Sequence, residues 1–147
     1  MGTATMGKVL VAAKIENLQD LYEVHTGRLM PDKVRTLDVP DALIDTGAIG
    51  LMIPTRLLPA LGLRPVLQRQ ARTVGGVIMM QVYETVQLTI QGRMCRIDVC
   101  EIPDPNPLLV GQVPLELMDW VVDPSGGKLI GNPDHGGQHM IDALGVL

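Results

Sequence analysis

Apolar runs in this chain are short, and glycine or proline repeatedly cuts them. Lys8 to Ile15 is β-rich. Leu51-Met52-Ile53 stops at Pro54, and Leu108-Leu109-Val110 stops at Gly111. Gln68 to Val74 and Val77 to Val82 flank Gly75-Gly76, and Val86 to Ile90 and Arg93 to Ile102 flank Gln91-Gly92. Strand-like runs joined by two residues that tolerate positive φ read as hairpins. Trp120 to Val122 and Lys128 to Ile130 sit either side of a Pro124-Ser125-Gly126-Gly127 turn. Helical signals are few. Asn17 can cap a turn through Leu18, Leu21 and Tyr22, and Thr55 can cap Arg56 to Leu61 with Gly62 as the stop. Pro114 suits the first turn of a helix ending near Met118. With 147 residues, the pattern implies a single mainly β, barrel-like domain over residues 1–147 with one or two short helices. Phe is absent, so the core must come from Leu, Val, Ile and Met.

One run carries chemistry. In Ala42-Leu43-Ile44-Asp45-Thr46-Gly47-Ala48, three apolar residues lead into a carboxylate, a hydroxyl and a glycine. A buried strand delivers an acid into a tight turn this way. The Gly47 amide is placed to orient Asp45, and its missing side chain lets a substrate backbone approach. The Thr46 hydroxyl can both donate and accept, and Ala48 leaves room for a substrate. Taken alone, Asp45 reads best as a turn residue whose carboxylate caps a backbone amide.

Two further segments follow in order: Val74-Gly75-Gly76-Val77, then Leu109-Val110-Gly111 with the helix from Val113 to Met118. Together the three resemble the retropepsin-like aspartic proteases, a family of retroviral enzymes with bacterial and eukaryotic cellular relatives. The likeness spans roughly Val34 to Val122. It implies a closed β-barrel acting as a homodimer, because the catalytic turn occurs once and the family's chemistry needs two facing carboxylates. Like charges at such range cannot both ionise, so the pair shares one proton. The ionised member takes a proton from water, and the protonated member polarises the scissile carbonyl. By resemblance Asp45, Thr46 and Gly47 form the catalytic turn, with Thr46 interlocking the two subunits. Ala48, Ile49, Val74, Gly75, Gly76 and Val77 line the substrate channel, the last four as a flap tip. No cofactor and no metal is implied. Ile49 and Gln112 stand where viral members often carry an acid and an arginine that brace the dimer; both are absent together, so neither is left unpaired. The stretch from Glu16 to Lys33 has no counterpart in viral members.

The expected activity is therefore aspartic endopeptidase cleavage of peptides or unfolded protein. The alternative is a catalytically inactive dimeric binding or assembly module, and a metal-dependent hydrolase using Asp45 with His135 and His139 is a third possibility. Ala48, Ile49, Leu51, Val74, Val77 and Ile78 are aliphatic, so apolar residues are expected on both sides of the cut and charged ones rejected. A net charge of -4 without a dense basic block argues against nucleic acid. No apolar run approaches membrane-spanning length. Met1 to Lys8 lacks a secretory pattern, and Met6 stands where a myristoylation motif on Gly2 wants Ser or Thr. Cys95 and Cys100 fall in one strand on opposite faces, about 16 Å apart, too far for a disulfide. They read as reduced thiols in a cytoplasmic protein. Asp119 and Asp123 read as turn residues, Trp120 as a core or interface anchor, and residues 131–147, with His135 and His139, as a flexible, solvated tail.

Overall fold

The computed structural model describes residues 8–145. Met1 to Gly7, on which the secretory and lipidation readings fall, lie outside the described residues, as do Val146 and Leu147. The elements in order are β1 (Val9–Asn17), α1 (Leu18–His25), β2 (Thr36–Ile44), β3 (Leu51–Pro54), β4 (Pro65–Thr73), β5 (Gly76–Ile90), β6 (Arg93–Ile102), β7 (Leu109–Val110), α2 (Gln112–Met118), β8 (Trp120–Asp123) and β9 (Lys128–Gly131). Seven strands form one sheet in the order β1-β2-β7-β3-β6-β5-β4. Because β1 also pairs with β5, six of them close into a ring and β4 hangs outside it on β5. Strands β8 and β9 make a separate hairpin. No helix among the described residues is long and apolar enough to cross a membrane.

Strand β1 shows why the ring closes. Val9, Val11, Ala13, Ile15 and Asn17 alternate with more exposed residues and turn inward, the two-residue period of a pleated strand. They meet Leu51, Ile53, Leu61, Val86, Leu88, Ile90, Val99 and Val110, all sealed from solvent. Each such aliphatic side chain contributes roughly 1.5–3 kcal/mol by leaving water. Leu51, expected beside a substrate, instead belongs to this interior.

Asn17 caps α1 as its position implies, accepting the Asp20 amide at 3.0 Å. Its side-chain amide also donates to Leu61 O at 2.8 Å, tying β1 to the segment after β3. Asp20 then holds Arg35 in a two-pronged pair, Nε to Oδ2 at 2.8 Å and Nη2 to Oδ1 at 2.9 Å. The stretch from Glu16 to Lys33 thus begins inside β1 and is tied to the rest of the fold by the Asn17 amide, by the Asp20–Arg35 pair and by Arg96 of β6, which lies over the Tyr22 ring. Thr55 departs from expectation: its hydroxyl donates to Glu101 Oε2 at 2.6 Å instead of capping. The segment Thr55–Leu61 is a 3-10 helix containing Pro59, a residue that cannot supply an interior helical hydrogen bond.

The Gln91-Gly92 hairpin forms as expected, with both residues left-handed at φ 50° and 86°. The other hairpin is shifted by one residue. Thr73 pairs with Gly76, so Val74-Gly75 is the two-residue turn and Gly76, at φ 118°, opens β5. The Thr73 hydroxyl donates across this turn to Gly76 O at 2.9 Å. Strand β5 also runs unbroken where two strands were expected, passing from hairpin to barrel at a bulge by Glu84. Arg64 clamps that bulge, with its backbone amide on Glu84 Oε1 and its guanidinium on Oε2.

Residues 131 to 140 are stitched down, contrary to the tail expected there. Asp119 caps α2 in the left-handed region at φ 57° and is buried. Its carboxylate meets His135 Nδ1 at 2.7 Å and accepts the Met140 amide at 3.0 Å and Asn132 Nδ2 at 3.2 Å. Arg93 donates to Gly137 O and stacks 4.0 Å from the Trp120 ring. These ties are polar, so they leave no apolar periodicity in the sequence. The His135 side chain, only 12% exposed, is raised above its ordinary 6.5 by its bond to Asp119, against burial and with help from Asp142. A raised histidine stabilises fully below its unfolded value and loses that contribution as pH climbs through the folded one. Burial opposes the charge of Asp119, yet the bonds from His135, Met140 and Asn132 hold its carboxyl below 3.8; its contribution disappears only as pH falls through that lowered value. Exchange protection of the Met140 amide is therefore expected to be greatest in mildly acid solution and to weaken toward alkaline pH. Protection independent of pH across this range would show that His135 does not hold the segment.

Candidate active site

The Asp45 loop is built from pieces distant in sequence. Strand β7 is only two residues long, yet it lies between β2 and β3: Leu43 and Ile44 pair with it in parallel, and Leu51 and Met52 antiparallel. At the end of β2 the Asp45 amide donates to Val110 O at 2.9 Å. The chain then turns. Gly47 N–H donates to Asp45 Oδ1 at 2.9 Å, and Ala48 N–H donates to Asp45 O at 3.0 Å. One carboxylate oxygen is thus fixed by the backbone, the Asx-turn chemistry of aspartate.

Helix α2 completes the loop. The first amides of a helix have no partner within it. Here Gly111 N–H donates to Gly50 O at 2.8 Å, Gln112 N–H to Ala48 O and Val113 N–H to Ile49 O, both at 2.9 Å. The start of the helix therefore holds the three residues that follow the Asp45-Thr46-Gly47 turn. This is why residue 111 is glycine: a Cβ there would stand 2.5 Å from Ala48 O and 2.7 Å from Gly50 O. Asp45 and Ala48 are half-buried, while Thr46, Gly47 and Ile49 are exposed.

The β4–β5 hairpin reaches this loop at its base. Met80 and Val82 of β5 pack with Met52 and Cys100, and Ala48, Ala71, Ile102 and Leu109 lie against them. This apolar cluster is separate from the barrel core. Of the residues expected at the site, Asp45 to Ile49 share one loop, and Ala48 enters the cluster. Val74, Gly75, Gly76 and Val77 sit together at the exposed hairpin end. Met52, Ala71 and Met80, which pack in this cluster, were not expected near the loop, and Leu109 was expected only as part of the Leu109-Val110-Gly111 turn. The available signal was the two-residue alternation of the hairpin strands, which puts Ala71 and Met80 on one face. Cys95 and Cys100 are both buried and free. Burial pushes the Cys95 thiol up to about 11 and raises that of Cys100 as well, so neither is a ready thiolate nucleophile.

Residues 33–113 match the model of a family described as aspartyl protease. The matched span runs from the approach to β2, through the Asp45 loop and the hairpin, to the start of α2. No curated protein matches the chain.

Proposed function

This chain belongs to the aspartyl protease family, and from that membership we propose that it is a retropepsin-like aspartic endopeptidase whose site is assembled by two copies, Asp45 of each supplying one carboxylate. The observation that carries this reading is the Asp45 loop itself. It is braced from behind by Val110 and the first amides of α2, while its Thr46-Gly47 crest stays exposed. A half-site must be rigid before it meets its partner, since geometric error of even ~1 Å costs about 10²-fold in rate.

In the assembled site, Gly47 N–H holds Asp45 Oδ1 and leaves the second oxygen for water or for the shared proton. The ionised carboxylate activates water, and the protonated one polarises the scissile carbonyl. Thr46, exposed beside Asp45, would bond its counterpart across a two-fold axis. The hairpin end from Val74 to Val77 would close over an extended peptide and exclude water. Ala48, Met52, Met80 and Leu109 offer apolar contacts for side chains at the cut, each worth about 1–3 kcal/mol of discrimination. The free thiols of Cys95 and Cys100 fit a reducing, cytoplasmic setting.

A protease-like dimeric binding or assembly module is the second reading. Its support is the lost brace: Ile49 is 67% exposed, and Gln112 turns to Glu116 within its own helix, Nε2 to Oε1 at 3.0 Å. Sedimentation with parallel peptide hydrolysis separates the two. The protease reading expects a dimer whose turnover is blocked by a statine-type transition-state mimic and untouched by chelators. A strict monomer with full activity would overturn the shared site. A dimer that binds peptides without cutting them would favour the module.

A further inference from the structure

We propose that Arg69 recognises an acidic side chain of the bound peptide, a few residues away from the scissile bond. The inference rests on the protease reading's placement of substrate between the β4–β5 hairpin and the Asp45 loop. Arg69 stands directly opposite Met80 in the hairpin register. Partners opposite one another in an antiparallel pair project from the same face. Ala71, two residues along β4, shares that face by the strand period. Met80 and Ala71 both pack in the cluster that contains Ala48 and Leu109, so this is the face turned toward the Asp45 loop. Gln68, Gln70 and Arg72 alternate onto the other side.

Arg69 is therefore a cation on an otherwise apolar wall. Among the described residues, Arg35, Arg56 and Arg64 pair with carboxylates, and Arg93 and Arg96 lie over aromatic rings. Arg69 is exposed and, like Arg28 and Arg72, enters neither kind of pairing; of these three it alone stands on the face that carries Ala71 and Met80. Its charge reaches inward: it opposes the effect of burial on the Cys100 thiol, which lies in the same cluster. A peptide laid against this wall covers the guanidinium. Covering a charge without a partner is costly, and a carboxylate on the peptide removes that cost with a charge-assisted hydrogen bond.

The position limits where the acid falls. Arg69 lies four residues back from Thr73 at the hairpin turn, about 13 Å at 3.3 Å per residue. The flanks of the cut stay apolar, and the acid belongs roughly two to four residues outward in an extended chain. A two-fold dimer presents one Arg69 on each side. The sequence expectation that charged side chains are rejected then holds for the flanks of the cut and not farther out.

The test uses fluorescent peptides with one apolar central pair and Glu, Gln or Lys at the outward positions. Binding is read by anisotropy on the Asp45→Asn protein, and cleavage on the wild type. Glu is expected to be preferred over Gln by about fivefold at low salt, the size of an exposed ion pair, with the preference fading as salt rises. Arg69→Gln should abolish that preference and Arg69→Glu should turn it toward Lys. Arg72→Gln, on the opposite face, should leave it intact. A Glu preference that survives Arg69→Gln, no preference at all, or no peptide binding would overturn the assignment. Arg69-dependent preference in binding, with no peptide cut by the wild type, would uphold Arg69 and overturn the protease reading alone.

Discussion

Asp45→Asn leaves a folded protein that no longer hydrolyses peptides. The amide has the volume of the carboxylate, and its oxygen can still accept Gly47 N–H, so the bond seen at 2.9 Å survives. On the proposed two-copy mechanism, what is lost is the base. Asparagine cannot take a proton from water, and two such residues facing one another cannot share one. Acid–base roles of this kind are worth about 10²–10⁴-fold, so turnover should fall by ~10³-fold or more. Stability should stay within about 1 kcal/mol, because the residue is half-exposed and keeps its backbone bonds. Peptide hydrolysis followed alongside thermal unfolding checks both halves. Turnover that persists in a well-folded Asp45→Asn protein would rule out the two-carboxylate mechanism.

Gly111→Ala should damage stability and activity together. The added methyl group would meet two carbonyl oxygens and the Ala48 carbonyl carbon, all within 2.7 Å. These are backbone atoms, so no side-chain rotation relieves the clash. Either α2 lifts away and gives up three amide bonds to the loop, or the loop shifts and carries Asp45 with it. Overpacking of this kind costs about 1–3 kcal/mol, and each buried hydrogen bond left unmade adds about 1–3 kcal/mol. A loss of roughly 2–4 kcal/mol is expected, with kcat/KM down about 10²-fold from misplacement. Gly50→Ala is the control in the same loop. A Cβ there meets nothing within 4 Å, and the change should be tolerated. Urea unfolding and kinetics of both variants decide the matter; a Gly111→Ala protein as stable and active as Gly50→Ala would show that α2 does not brace the loop.

Much of this site could be read from local pattern. The Asp45 turn announces itself because an acid, a hydroxyl and a glycine after an apolar strand form one short phrase. Gln91-Gly92 and the Asn17 cap are equally local. The missed features depend on partners far away in the chain. The closing of the ring by β1 against β5 is a matter of register between Lys14 and Thr89, which no window of residues contains. The hairpin turn fell one residue early because Val74-Gly75 and Gly75-Gly76 are both acceptable turns, and the Thr73 to Gly76 pairing selects between them. Strand β5 was divided at Tyr83-Glu84-Thr85, where polar residues imitate a loop; a bulge clamped by Arg64 lets the strand continue. The tie between Asp119 and His135 is invisible for a different reason. It is made of hydrogen bonds, and buried polar contacts follow no period.

The same distance along the chain governs when the protein comes into being. Asp45 is seated by Val110, Gly111, Gln112 and Val113, so the loop cannot take its final shape while those residues are still to be synthesised. At about 5–20 residues per second, the nascent chain spends roughly 3–13 s between making the acid and making its support. Folds dominated by pairings of such long range reach their native state on the ms to s scale. On the proposed protease reading, a site ordered this late stays silent during synthesis, when the chain's own unfolded segments are the nearest extended peptides it could meet.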